Sequence, residues 1–378
     1  MLTRQRPFDG IGRTQVEMLR HLRRKGAASR GDLADICGVT AAAVSMLARD
    51  LIERGIVVEG ARRSGARGAP HVDLMLADKV GYALGIHANR FTATLVLLDF
   101  RGARIDERSK QGPFDSVTDL TSAIEALKSE LLGMNRIDER LLIGAGIAMP
   151  TRFRQGQGFL DLADEVIGWA EVDFASTLQH ALGCPIVIEN DANAAAMGEV
   201  ALGNSADHEN FVYLYLSEGI GSGVIINKEL YRGHTGNAGE VGALRARGLP
   251  RPSFEDLAAW SLARVGHIPE GRSSEEWSSY FDRHGAVLEA WLERAGPETA
   301  RLAFMMAAIL APAAIYLGGT LPWVVRHRLA DWLDFRKSDP FAGARVLQPE
   351  IIVPQSSATD AVAFGAAAMI LHDLPGAD

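Results

Sequence analysis

The pair Asn190-Asp191 stands where a β-branched run, Ile186-Val187-Ile188, gives way to the helix-forming Ala194-Ala195-Ala196. An amide both donates and accepts hydrogen bonds while a carboxylate accepts them, so the two together suit a molecule with neighbouring hydroxyls. Further along, Glu240 follows a glycine-rich stretch and adds a second carboxylate. The pattern predicts a strand at 186–188 and then a helix to Leu202, with the polar pair at the strand end. In open α/β sheets, ligands bind outside that edge. The same residue types cap helices, and Asp191 or Asn193 would also serve as a cap here.

Two glycine-rich segments accompany the pair: Ser217-Glu218-Gly219-Ile220-Gly221-Ser222-Gly223 and Gly233-His234-Thr235-Gly236-Asn237-Ala238-Gly239-Glu240-Val241-Gly242. Gly144-Ala145-Gly146-Ile147-Ala148-Met149-Pro150 and Ile167-Gly168-Trp169 stand upstream; Tyr316-Leu317-Gly318-Gly319 and Phe364-Gly365-Ala366-Ala367 stand downstream. In this order and spacing the chain resembles the ROK family of bacterial sugar kinases and sugar-responsive repressors. The resemblance covers most of the sequence from Gly81 onward. It implies a two-lobed, actin-like or ribonuclease-H-like α/β domain with a sugar-binding cleft, in which Asn190, Asp191 and Glu240 contact the ligand. Glu255 matches a further sugar-contacting Glu, across an apparent deletion.

Departures from the family pattern bear on activity. Family kinases open with a hairpin whose turn carries an Asp followed by Gly-Gly-Thr, which holds phosphates and metal. Here the matching residues are His87-Ala88-Asn89-Arg90-Phe91. Glycines let backbone N–H groups approach a phosphate, whereas Asn89, Arg90 and Phe91 fill that space. The lost Asp removes an oxygen ligand that Mg²⁺ favours. Ala243 replaces a sugar-contacting His of the family. Residues 244–252 contain no Cys or His, so the family's zinc loop has no ligands here. No cofactor, metal site or catalytic residue is therefore expected.

The elements that must position these residues read as an alternation of strands and helices. Tyr82–Ile86 and Thr92–Leu98 pair as strands, Val117–Leu132 forms a helix, and Leu141–Ala148 is a buried strand. Phe174–Leu182 supplies another helix, Leu302–Leu317 a buried helix entering a strand, and Ala361–Leu371 an apolar helix. This order argues for an α/β sheet.

Residues 1 to 78 have another character. Residues 1–71 hold thirteen Lys or Arg against seven Asp or Glu, giving +6 and leaving −14 for the rest of a chain whose formal net charge is −8. A basic head on an acidic body separates functions, and the overall charge excludes a protein that coats nucleic acid along its whole surface. A first helix over 12–24 buries Val16, Leu19 and Leu22 and leaves Arg20, Arg23 and Arg24 for solvent. A second runs from Arg30 to Cys37, and Gly38 provides a left-handed stop. Thr40 caps a third helix ending near Arg54. That order is a helix-turn-helix. Ile56–Val58 and Val72–Leu76 then flank an arginine-rich tip, forming a wing. The head also resembles the winged helix of ROK repressors. Thr40, Ala42, Ser45, Met46 and Arg49 would face the major groove of double-stranded DNA, with Arg62, Arg63 and Arg67 reaching phosphates or the minor groove.

The fold class expected is thus α/β: a winged helix-turn-helix at 1–78 followed by a ROK domain at 79–378. Two cysteines in 378 residues, neither in a CxxC cluster, and the absence of a secretory or spanning segment fit a cytoplasmic protein. The favoured function is a transcriptional regulator, a repressor that binds DNA as a homodimer or dimer of dimers and senses a small carbohydrate-like effector. Two alternatives stand beside it: an active sugar kinase with Asp191 as base, and a DNA-binding protein that needs no ligand.

Overall fold

The computed structural model describes residues 8–63, 71–153, 160–162, 174–202, 205, 207–245, 251–337, 343, 345–355 and 358–374. Arg67 and the tip of the wing, Ile167-Gly168-Trp169, and 246–250 lie outside the described residues. The chain divides into two compact units, Met1–Ile147 with Glu171–Ile188 and Ala366–Asp378, and Ala148–Ala170 with Glu189–Gly365.

The first unit begins with α1 (Arg13–Lys25), β1 (Ala27–Ala28), α2 (Arg30–Cys37), α3 (Ala41–Glu53), β2 (Val57–Arg63) and β3 (His71–Leu76). Local chemistry explains each boundary. Ser29 caps α2 and shares a capping box with Asp32, Gly38 ends it at φ 63°, and the Thr40 hydroxyl accepts from Ala43 N–H at the start of α3. Helices α2 and α3 meet at 110°, as a helix-turn-helix requires. Val44, Ala48 and Leu51 are fully buried on α3 and form its core stripe, with Leu47 half-buried beside them. The strand order β1-β3-β2 makes the wing a three-stranded sheet.

Next in the chain come β4 (Tyr82–Ala88), β5 (Thr92–Asp99), β6 (Arg104–Gln111), α4 (Val117–Asn135), β7 (Leu142–Met149), β8 (Thr151–Phe153), β9 (Leu160–Leu162), α5 (Phe174–Leu182) and β10 (Ile186–Asn190), of which β8 and β9 belong to the second unit. A five-stranded sheet has the order β10-β7-β4-β5-β6. The run at 186–188 therefore belongs to an edge strand and is only half-buried.

Arg20 and Arg23 correct the expectation of a wet face on α1. Arg23 donates from Nε to Phe100 O at 2.9 Å and from Nη1 to Leu371 O at 2.7 Å, and its guanidinium lies 4.8 Å from the Phe100 ring centre. Arg20 donates to His372 O at 2.8 Å. Burial pulls the Arg23 pKa down to about 10, and its Nη2 is enclosed without a partner. These two arginines join the head to the rest of its own unit.

The second unit contains α6 (Asp191–Ala201), β11 (Phe211–Leu216), β12 (Ile220–Ile226), β13 (Glu229–Leu230), α7 (Phe254–Val265), α8 (Ser274–Arg283), α9 (Gly285–Leu310), β14 (Ala314–Gly318), α10 (Trp323–Ala330), β15 (Glu350–Ile352) and most of α11 (Ala358–Asp373), which ends in the first unit. Its sheet has the order β13-β12-β11-β14-β15. Strand β11 pairs antiparallel with β12 and parallel with β14. Val212, Leu214, Leu216, Ile315 and Leu317 pack one face of this sheet against Trp277, Trp291, Leu292 and Phe304 of the helices. Gly318 and Gly319 are required by close approach: a Cβ on the first would strike the Tyr213 hydroxyl, and one on the second the Leu216 backbone.

Candidate functional site

Helix α6 begins at Asp191 directly from strand β10, with no intervening turn. Asn190 is its cap: Oδ1 accepts from Ala192 N–H at 2.8 Å, while Nδ2 donates to Thr151 O at 2.9 Å. The helix lies close on β12 because Gly221 and Gly223 lack side chains. A Cβ at Gly223 would come within 2.6 Å of both Ala192 O and the Ala196 methyl. This packing carries Asp191 to the turn between β11 and β12.

A second loop completes the arrangement. Asn237 accepts from Phe153 N–H and donates to Phe153 O, both at 2.7 Å, and Gly239 O accepts from the Ser222 hydroxyl at 2.8 Å. Gly239, at φ 91°, sits so tightly on Ser222 that a Cβ would overlap its carbonyl. Glu240 is thereby brought opposite Arg152, with Nε and Oε2 3.7 Å apart.

The result is a cavity of about 140 Å³ lined by Thr151, Arg152, Asn190, Asp191, Tyr215 and Glu240, with Ser217 to Gly221 forming one wall. It is smaller than the roughly 300–1,000 Å³ usual for drug-sized ligands. Burial raises the Glu240 pKa, an effect that Arg152 opposes. Burial also holds the Tyr215 hydroxyl well above its ordinary value, with the Asp191 charge adding to the shift. Tyr215 is therefore a phenol at neutral pH, able to donate and accept. The chemistry on offer is dense hydrogen bonding between acceptor oxygens and a few donors.

Of the residues singled out in the sequence, Asn190, Asp191 and Glu240 come together in this cavity. Glu255 does not line it; it is exposed in the first turn of α7. His234 is likewise exposed. Sequence reasoning missed Thr151, Arg152, Tyr215 and Glu218. The first two follow directly on Met149-Pro150, and Tyr215 is the last residue but one of the strand leading into the glycine turn, so strand-end position was the available signal.

The turn between β4 and β5 is tied to its own Asn89 side chain. Asn89 Oδ1 accepts from Phe91 N–H at 2.8 Å, Thr92 N–H at 2.9 Å and the Thr92 hydroxyl at 3.2 Å. Arg90 pairs with Asp115 at 2.7 Å. His87 is fully buried, and burial pulls its pKa down to about 4, so it is neutral at pH 7.

On the head, Thr40, Ala42, Met46 and Arg49 are exposed on α3 and Ser45 is half-exposed, its hydroxyl turned back to Ala41 O at 2.8 Å. Arg62 and Arg63 belong to β2, opposite Val72 and His71 of β3.

The ROK family model matches residues 83–373, and a MarR family model matches residues 9–68. An uncharacterised protein of Sinorhizobium fredii, y4fQ, is 29% identical over 88% of this chain and 82% of its own length. The xylose repressor of Bacillus subtilis is 28% identical over 66% of this chain, which spans 64% of that protein. Among solved structures, a ROK family transcriptional regulator, a homologue of the E. coli MLC protein, superposes with a TM-score of 0.67. The superposition covers 95% of this chain and 98% of the other at 17% identity, a likeness of fold.

Proposed function

The chain belongs to the ROK family and carries a MarR-type winged helix at its N-terminus, and on that premise we propose that it is a DNA-binding transcriptional repressor whose ROK domain senses a small carbohydrate-like effector. One observation carries the reading: a winged helix with an open, small-residue recognition face shares a chain with a ROK body whose β4–β5 turn is closed by Asn89. Phosphoryl transfer depends on positioning and neutralising the γ-phosphate. A turn whose amides serve its own side chain is unsuited to that work, so the protein is a sensor and not a kinase.

The effector is held by Asn190, Asp191 and Glu240, with Tyr215 as a further hydrogen-bonding group. The DNA is read by Thr40, Ala42, Ser45, Met46 and Arg49, with Arg62, Arg63 and Arg67 on the backbone or minor groove. The functional boundary lies between residues 78 and 79. Compactness instead groups the head with the first sheet and the end of α11, to which Arg20 and Arg23 are hydrogen-bonded. The protein acts in the cytoplasm as a homodimer or dimer of dimers, which suits two half-sites of a palindrome.

The test is selection of operator sequences from random duplex DNA by the intact protein, followed by titration across salt and with a panel of sugars. Binding should fall steeply with salt, as phosphate-neutralising arginines require. Arg49→Ala should weaken it several-fold. Absence of any duplex preference would refute the repressor reading.

A further inference from the structure

Ser217, Glu218 and Gly219 form the turn between β11 and β12 and one wall of the cavity. A glycine-rich turn of this kind leaves backbone free to approach an anion, yet a carboxylate sits in its middle. The Glu218 side chain is only 16% exposed and is held by the Arg272 guanidinium. Arg272 in turn lies 4.6 Å from the centre of the Phe254 ring, so the pair is backed by the packed start of α7.

The charges around the cavity are lopsided. Asp191, Glu218 and Glu240 contribute three carboxylates, and Arg152 is the one cation among the described lining residues. Arg152 is already engaged with Glu240, and Arg272 with Glu218. A phosphomonoester brings a charge of about −1.5 to −2 at pH 7. Such a group would enter a small, partly desolvated space facing carboxylates, where repulsion is poorly screened. An uncharged polyol meets no such barrier, and an ammonium is attracted.

We propose that Glu218, held by Arg272, is a specificity-determining residue that bars phosphorylated ligands from the cavity and selects neutral or amine-bearing polyols. This rests on the reading of the cavity as the effector site. Discrimination by a repulsive group needs no extra contact with the preferred ligand.

The experiment is calorimetric titration of the intact protein with glucose, mannose and galactose, their 2-amino derivatives and their 6-phosphates. For any series that binds, the neutral or amino member should bind at least tenfold more tightly than the phosphate. Glu218→Gln should narrow that gap at least threefold. Arg272→Met leaves the carboxylate uncompensated and should widen it. Opposite shifts from the two variants separate a charge effect from loss of packing, which would move both the same way. If Glu218→Gln does not fold, the direction of Arg272→Met decides. A phosphate that binds wild type as tightly as its neutral parent would overturn the proposal while leaving the cavity an effector site. Heat-silent titrations and unchanged melting temperatures for every member would overturn both.

Discussion

Two hairpin turns of this chain begin from similar geometry and end in opposite chemistry. Between β4 and β5, Asn89 gathers the donors of Phe91 and Thr92 onto its own oxygen, and Arg90 is pinned by Asp115. Between β11 and β12, Ser217 to Gly221 face a cavity shared with Asp191 and Glu240. The first turn ties the backbone donors of Phe91 and Thr92 to its own side chain. The second keeps polar groups turned toward open space. The difference lies in one side chain: an Asn at the head of a turn can satisfy the backbone two and three residues on, whereas Glu218 pairs with Arg272 at the cavity wall. Turns are retired or retained by where their hydrogen bonds go, and the strands that carry them can stay the same.

The contrast is most exposed at Asp191. Asp191→Ala should lower effector affinity at least a hundredfold by titration calorimetry, with the fold preserved because Asn190 still caps α6. An unchanged affinity would mean that the second turn is as idle as the first. Next in size is Gly223→Ala, which drives a methyl into Ala192 O and the Ala196 side chain. It should destabilise the protein by about 1–3 kcal/mol in chemical denaturation, in line with overpacking elsewhere. A smaller loss would show that α6 is free to shift on β12.

Asn89→Ala strips the first turn of its shared acceptor. It should cost about 1 kcal/mol of stability, with effector binding unchanged and no sugar-dependent ATP hydrolysis gained. The smallest effect is a pH dependence. Glu240 has a raised pKa, so its contribution to folding is fully present below the ordinary value of 4.5 and is lost as pH rises through the raised value. Effector binding needs the ionised form as acceptor and should weaken as pH falls through that same value. The step should vanish in Glu240→Gln, measured as affinity against pH.

Much of this was legible in the sequence because it rests on local rules. Helices α2, α3 and α5 begin and end where the sequence placed them. Ser29, Gly38 and Thr40 mark the boundaries of the first two by hydrogen bonds and a left-handed turn that need only neighbouring residues. The family resemblance supplied the second sheet, which periodicity alone did not. Strand β6 escaped notice because Arg104–Gln111 is largely exposed and rich in charge, with no apolar alternation to betray an edge strand. Arg23 was misjudged for the opposite reason. Its partners, the carbonyls of Phe100 and Leu371, are main-chain atoms from distant parts of the chain, and no side-chain pattern announces them. Asn190, Asp191 and Glu240 were found because they cluster in recognisable motifs. Arg152 and Tyr215 were not, being single residues whose role depends on the packing of α6 and the loop before Glu240.

The seat of Arg20 and Arg23 is built from residues 348 and 352 positions later in the chain. On a ribosome adding roughly 5–20 residues each second, the head emerges tens of seconds before Leu371 and His372 do. Phe100, the other partner of Arg23, is made only 77 residues after it, so the head can meet part of its seat early and the carbonyls of α11 last. Order of synthesis thus divides the attachment of the winged helix to the rest of its unit into an early contact and a late one.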